Sequence, residues 1–173
     1  SYPVLENLSF EIRRGEKIAL LGTNGAGKST LLRLLAGILE ASGGTLKIPQ
    51  ESSGVFAGET GLYLELSVID NIPVFGAIHG VPRAVLKRKE EEILAVAGLG
   101  ELRYALTKEL SSGQRRRLAL SIFFQCDHEF MILDEALTHV DAAFSKKCEE
   151  RLAKWTAEGK TFVGVSHDLT FLR

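Results

Sequence analysis

Short apolar runs and helically spaced leucines alternate along this 173-residue chain. Leu8, Phe10 and Ile12 alternate with polar residues at the period of a half-buried strand, and Arg13-Arg14-Gly15-Glu16 turns the chain into Lys17-Ile18-Ala19-Leu20-Leu21, an apolar run that predicts a buried strand. Leu31, Leu32, Leu34, Leu35 and Ile38 then recur at helical spacing, with Gly37 near the expected stop. Ser42-Gly43-Gly44 marks a turn, Thr45-Leu46-Lys47-Ile48 a short strand closed by Pro49, and Gly54-Val55-Phe56 another strand. From about Gly58 to Thr107 the pattern is helix and loop. Ser67 caps a helix beginning Val68-Ile69-Asp70-Asn71, and Pro82 suits the first turn of a longer helix through Ala97, with Gly98 beyond it. Lys87 to Lys89 followed by Glu90 to Glu92 give that helix a solvated, charged face. Strand and helix alternation then returns. Ser111 starts a helix to about Gln125, Phe130-Met131-Ile132-Leu133 is a buried strand, Asp141 caps a helix through Lys154 and Trp155, and Thr161 to Val165 is the last strand. Such alternation predicts a mainly parallel sheet with helices on its faces.

Composition narrows this only a little. With 45% hydrophobic and 25% charged residues the chain suits a globular domain, or one domain with a small subdomain. The net charge of −1 points to neither nucleic acid nor an acidic membrane surface, so anion binding must be local. The longest apolar runs, Leu118 to Phe124 and Ile93 to Leu99, are far too short to span a bilayer, so work at a membrane requires another chain to cross it. Ser1-Tyr2-Pro3-Val4 lacks the features of a signal peptide, which makes the cytoplasm the default. Cys126 and Cys148 have no partner at metal spacing and suggest a reducing compartment; Cys126-Asp127-His128 reads as a loop between helix and strand rather than a metal fragment.

The chemistry lies in three stretches. Gly22-Thr23-Asn24-Gly25-Ala26-Gly27-Lys28-Ser29 fits G-x-x-x-x-G-K-[ST], in which backbone N–H groups wrap phosphates, Lys28 neutralises them and the Ser29 hydroxyl faces Mg²⁺. It falls between a predicted strand and a predicted helix, the order that aims a helix N-terminus at an anion, so a nucleotide should sit there. The strand Phe130 to Leu133 ends in Asp134 and Glu135. Parallel strands are exposed at their C-terminal ends, so both carboxylates should emerge near the phosphate loop, Asp134 to hold Mg²⁺ through water and Glu135 to take a proton from a water attacking the γ-phosphate. Leu110-Ser111-Ser112-Gly113-Gln114 places a hydroxyl and a glycine at a helix start, a second anion site. Arg115, Arg116 and Arg117 follow in the first turn, where they oppose the helix dipole and make better sense with anionic charge nearby.

Together these residues resemble the nucleotide-binding domain of an ATP-binding cassette (ABC) transporter, whose LSGGQ signature is written here Leu110 to Gln114 with Ser112 for one glycine. The resemblance covers essentially the whole chain. Asp141 falls at the D-loop position and His167, in Val165-Ser166-His167-Asp168, at that of the switch histidine. It implies an α/β P-loop NTPase with a mainly parallel sheet flanked by helices, residues 1–57 and 115–173 forming the ATPase core and 58–114 a helical subdomain ending in the signature. It also implies a head-to-tail dimer of two such domains. Gly22, Asn24, Gly25, Gly27, Lys28, Ser29 and Thr30 would hold ATP and Mg²⁺ in one copy while Ser111, Gly113 and Gln114 of the other close over the γ-phosphate. Glu135 would polarise water and His167 support the transition state.

A narrower resemblance is to exporters of capsular polysaccharide, O-antigen and teichoic acid. Gly61 to Asn71 is similar to their GFxPELTGxEN stretch, and Leu133 to Leu137 with Asp141, Phe144 and Lys147-Cys148 to their DEALAVGDxxFxxKC run, although Thr138-His139-Val140 departs from it. The family's Q-loop glutamine is replaced by Ala57-Gly58-Glu59, Gln50 lying too early; the exporter group often lacks it too. Tyr2 lies slightly too close to the phosphate loop to stack on adenine, which suggests that the first strand and its aromatic precede Ser1. The resemblance therefore implies the ATP-hydrolysing subunit of an ABC exporter of lipid-linked polysaccharide, bound to a membrane-spanning permease at the cytoplasmic face of the membrane, with no nucleic-acid partner. An ABC ATPase for another substrate, or one without a transport role, is the alternative.

Overall fold

The computed structural model describes residues 4–23, 25–48, 53–134 and 141–165. The chain divides into two compact units: Ser1–Phe56 with His128–Ala136 and Ala153–Arg173, and Ala57–Asp127 with Leu137–Leu152.

The first unit is built on four parallel strands, β1 (Lys17–Leu20), β2 (Ser53–Phe56), β3 (Phe130–Leu133) and β4 (Thr161–Val165), in the order β1-β4-β3-β2. Register is continuous across the sheet: Ala19 lies opposite Gly164, Gly164 opposite Leu133, and Leu133 opposite Phe56. β3 and β4 are buried along their whole length, as expected of central parallel strands made of Phe, Met, Ile, Leu and Val. Alternation sends Phe130, Ile132, Val163 and Val165 to one face, where they form a core with Leu32 and Leu35 of helix α1 (Lys28–Leu35). Met131, Leu133 and Phe162, of opposite parity, are equally inaccessible. Gly54 admits the 128 loop: a Cβ there would lie 2.4 Å from His128 Cδ2. Cys126-Asp127-His128 is irregular chain between helix and strand, as expected.

Two expected strands are not formed. Residues 8–12 and 45–48 have no strand pairing among the described residues, and Leu8, Phe10 and Leu46 are about half exposed. The alternation there is real, but a strand needs a hydrogen-bonding neighbour, and only Ile12 and Ile48 reach the core.

The second unit is helical. It holds α2 (Val68–Ile78), α3 (Arg83–Ala97), α4 (Ser112–Phe123) and the first turns of α5 (Ala142–Ala157). The caps follow the sequence closely. Ser67 Oγ accepts from the Asp70 N–H, Pro82 stands at the N-cap of α3 rather than in its first turn, Gly98 ends α3 with φ +67°, and Asp141 accepts from the Phe144 N–H at 2.9 Å. α2 continues through Pro73, an interior position that costs a hydrogen bond; burial of Val68, Ile72 and Phe75 holds the helix regardless. The charged face of α3 pairs as expected, Lys89 with Glu92, and Glu91 receives both nitrogens of Arg103 at 2.9 and 2.7 Å. That fork holds the Glu91 carboxyl below the usual carboxylate range. Burial, followed by the charges of Glu149 and Asp141, pushes the Cys148 thiol up to about 12, so it stays protonated and inert.

α4 packs on α2 and α3. Its contacts group it, with the start of α5, in the helical unit. The reason is its buried run Leu118 to Phe123, which needs an apolar partner on nearly every side.

α2 and α3 approach closely at Gly76. A Cβ there would sit 2.4 and 2.8 Å from the two Cδ atoms of Leu86, a side chain only 2% exposed. Gly76→Ala should therefore destabilise the unit by about 1–2 kcal/mol, overpacking outweighing the helix-propensity gain. Urea unfolding checks it; an unchanged midpoint would show that Leu86 has room to move.

Candidate functional site

The loop between β1 and α1 is shaped by glycine. Gly22, Gly25 and Gly27 have φ of +151°, +84° and +89°, and a Cβ on Gly27 would meet Leu5 Cδ2 at 2.9 Å. Ala26 N–H donates to the Thr23 carbonyl at 3.2 Å, closing the turn. Gly27 then caps α1 in the left-handed region, without a side-chain cap and with no acidic residue in the first turn. Free N–H groups and no carboxylate leave this helix start suited to an anion. Lys28 Nζ reaches back over the loop to the Gly22 and Thr23 carbonyls at 2.7 and 2.9 Å, which places its charge on the loop itself. Ser29 is exposed and Thr30 half-buried; Asn24 lies outside the described residues.

All four strands run in parallel, so β1, β3 and β4 end at one edge of the sheet. The phosphate loop leaves that edge after Leu20, and Asp134 after Leu133. Only β4 separates them, two strand spacings or about 10 Å. Asp134 N–H donates to the Phe56 carbonyl at 3.1 Å, extending the β2–β3 ladder one residue and fixing where the carboxylate emerges. Glu135 and His167 lie outside the described residues, as do Tyr2 and Gln50. Among the described residues no cluster of three or more His, Cys, Asp or Glu could hold a metal.

In the second unit the Leu110 to Gln114 stretch opens α4 with a reciprocal cap. Ser111 Oγ accepts from the Gln114 N–H at 3.2 Å, and Gln114 Oε1 accepts from the Ser111 N–H at 2.8 Å. The Ser111 side chain is exposed, and its hydroxyl proton is still available to donate. Gly113 lies half-buried in the first turn. The anionic charge expected beside the arginines comes from the chain itself. Arg115 Nε donates to Glu59 Oε2 at 2.6 Å, and Arg117 Nη1 to Asp141 Oδ2 at 2.6 Å. The Phe144 N–H, then Arg117, hold the Asp141 carboxyl below its ordinary value. Sequence reasoning placed Asp141 and missed Glu59, whose signal would have been a lone carboxylate between a strand end and a helix.

Comparison with known proteins settles the family. Residues 5–138 match the family described as ABC transporter.

The chain belongs to the ABC transporter family.

This ABC domain is 37% identical to the O-antigen export system ATP-binding protein RfbE of Yersinia enterocolitica, over 98% of the chain and 71% of that protein. It is 36% identical to the teichoic acids export ATP-binding protein TagH of Bacillus anthracis, over 96% of the chain but only 30% of TagH. The chain thus spans about a third of one relative and over two-thirds of the other. A solved structure described as the ATP-binding subunit of an ABC transporter superposes with a TM-score of 0.81 at 23% identity, covering 95% of this chain and 73% of that one. A dimeric ATP-binding cassette solved in a post-hydrolysis state with ADP and phosphate gives 0.81 at 22% identity, over 98% and 82%. The fold is the expected α/β P-loop NTPase fold. No helix among the described residues is long and apolar enough to cross a membrane.

Proposed function

We propose that this ABC domain binds and hydrolyses ATP to power export of a lipid-linked polysaccharide of the capsule, O-antigen or teichoic acid type. It works at the cytoplasmic face of the cell membrane, seated on a membrane-spanning permease and paired head to tail with a second copy. The observation that carries the ATPase reading is the shared sheet edge: a glycine-shaped anion loop ending in Lys28, and Asp134 two strands away. The cargo class is supported by the names of relatives 34–37% identical along nearly the whole chain.

Each residue then has a task. The backbone of Gly22, Asn24, Gly25 and Gly27 and the Lys28 ammonium surround the β- and γ-phosphates, with Thr30 two residues further along the helix. Ser29 and Asp134 offer hydroxyl and carboxylate oxygens, the hard donors that suit Mg²⁺, whose chemistry when bound is to neutralise phosphate charge. Glu135 takes the proton of the attacking water as its oxygen bonds to the γ-phosphorus and ADP leaves. His167 donates to the γ-phosphate oxygens. Ser111, Gly113 and Gln114 of the second copy close the site, so hydrolysis waits on pairing. Residues 1–57 and 115–173 remain the proposed catalytic division of the chain, 58–114 its helical arm, although α4 packs with the arm.

The test is ATP turnover against protein concentration, with size measured in Mg-ATP. Turnover should rise more than linearly. Glu135→Gln should lower kcat by about 10²–10⁴-fold and trap an ATP-bound dimer. Linear turnover that survives Glu135→Gln would refute both the base and the shared site.

A further inference from the structure

The segment that leaves β2 is short and strongly tied. Phe56 still belongs to the sheet, its carbonyl accepting from Asp134 N–H. Gly58 then turns with φ +67°, and a Cβ there would lie 3.1 Å from Arg116 Nη2. Glu59 follows and accepts from Arg115 Nε at 2.6 Å, in a pair whose side chains are only 23% and 32% exposed. The same guanidinium donates through Nη1 to the Leu110 carbonyl, also at 2.6 Å. Arg115 therefore bridges two acceptors at once: the carboxylate three residues beyond β2, and the carbonyl immediately before Ser111. A planar fork with fixed donor directions is suited to holding two such groups in one geometry; a flexible ammonium is not.

The bridge acts on a helix start whose position matters. Ser111 is held from inside by its reciprocal cap with Gln114 and from outside by the Arg115 bond to Leu110. Leu110 itself is 4% exposed, so its peptide plane has little freedom. On the far side of the first turn, Arg117 donates to the Ala97 carbonyl at 3.0 Å and to Asp141. Without Glu59, Arg115 loses the charge that aligns its fork, and the Leu110–Ser111 peptide loses its outer restraint.

We propose that Glu59 is a positioning residue for ATP hydrolysis, acting through Arg115 to hold the Leu110–Ser111 start of α4 to the segment leaving β2. The inference rests on the ATPase reading above and adds a direction to it. Because Ser111 serves the phosphate site of the other copy, Glu59 acts on its partner's ATP and not on its own.

That direction can be read by mixing. Glu59→Ala should lower kcat about tenfold or more, with a smaller change in KM, since misplacement of a positioning group falls mainly on the transition state. Lys28→Ala copies are inactive at their own phosphate loop but carry an intact Glu59 and Ser111. Adding them to Glu59→Ala should raise turnover per Glu59→Ala copy, because each mixed dimer contains one complete site. Glu59→Gln, which keeps an acceptor for Arg115, should lose less, and Glu59→Ala/Arg115→Ala should be no worse than the poorer single variant. Independently of activity, amide hydrogen exchange across residues 110–115 should quicken in Glu59→Ala while α3 stays protected. Unchanged exchange there, or no gain on mixing while wild-type turnover still depends on Glu135, would overturn the role of Glu59. Linear wild-type turnover that survives Glu135→Gln would instead overturn the assigned base and the shared site on which this inference rests, and the exchange measurement would still decide whether Glu59 holds the start of α4.

Discussion

Lys28→Ala is expected to reduce ATP turnover by about 10²–10³-fold and to weaken ATP binding, with little change in the thermal midpoint measured without nucleotide. Lys28 Nζ rests on the Gly22 and Thr23 carbonyls, so its charge is already placed inside the loop. Phosphate oxygens entering the loop compete with those carbonyls for the same donors, and little reorganisation is needed at the moment of reaction. Removing the side chain leaves two carbonyls that water can satisfy, because the loop around them is exposed; hence the small effect on stability. Lys28→Arg should not rescue, since a planar guanidinium cannot occupy the position of a compact ammonium between two carbonyls 2.7 and 2.9 Å away. Steady-state kinetics with equilibrium ATP binding check this. Turnover within about threefold of wild type, roughly 0.7 kcal/mol of barrier, would remove Lys28 from the mechanism.

The second large effect falls on stability. Asn71 is completely buried, and its side chain is used at both ends. Oδ1 accepts from the Tyr63 N–H at 2.8 Å, while Nδ2 faces the Tyr63 carbonyl and Thr107 Oγ1 at 2.8 Å and the Ser67 carbonyl at 3.2 Å. One amide thus ties α2 to the loop before it and to the 3₁₀ turn Thr107–Glu109. Asn71→Ala strands several buried groups at about 1–3 kcal/mol each; with partial relaxation the loss should be about 3 kcal/mol, or a fall of roughly 6–12 °C in Tm. Asn71→Asp keeps the shape but replaces a donor by an acceptor facing carbonyls. Its folded-state pKa would be raised by burial, so the folded state binds the extra proton. The penalty should therefore shrink as pH falls from 8 toward 5, opposite in sign to a salt-bridged carboxylate such as Asp141. Thermal unfolding followed by circular dichroism at both pH values checks it. A loss below about 1 kcal/mol would mean that the loop finds other partners.

The two predictions differ in how far the sequence reveals them. Lys28 is legible at once, because glycine spacing and the flanking strand and helix are local properties, and a loop of positive-φ glycines admits few other shapes. The helix limits at Ser67, Gly98, Ser111 and Asp141 are legible for the same reason: a cap is a bond across three residues. Leu8 to Ile12 and Thr45 to Ile48 mislead because alternation states only which face is apolar, and strand formation needs a neighbour that local pattern cannot supply. Likewise, position after the signature says nothing of which surface Leu118 to Phe123 meets, and that surface belongs to α2 and α3.

The sequence by itself determined the phosphate loop, the order along the chain of the helices and of β1 to β4, the carboxylate at the end of β3 and the family, all carried by residues within a few positions of one another or by their order along the chain. Only the tertiary structure decided the strand order that puts β4 between the phosphate loop and Asp134, the burial of Asn71 and the capture of Arg115 by Glu59. Those depend on residues 36 to 56 positions apart, or on strands paired out of sequence, and such contacts are selected by packing and charge in three dimensions after local propensity has had its say.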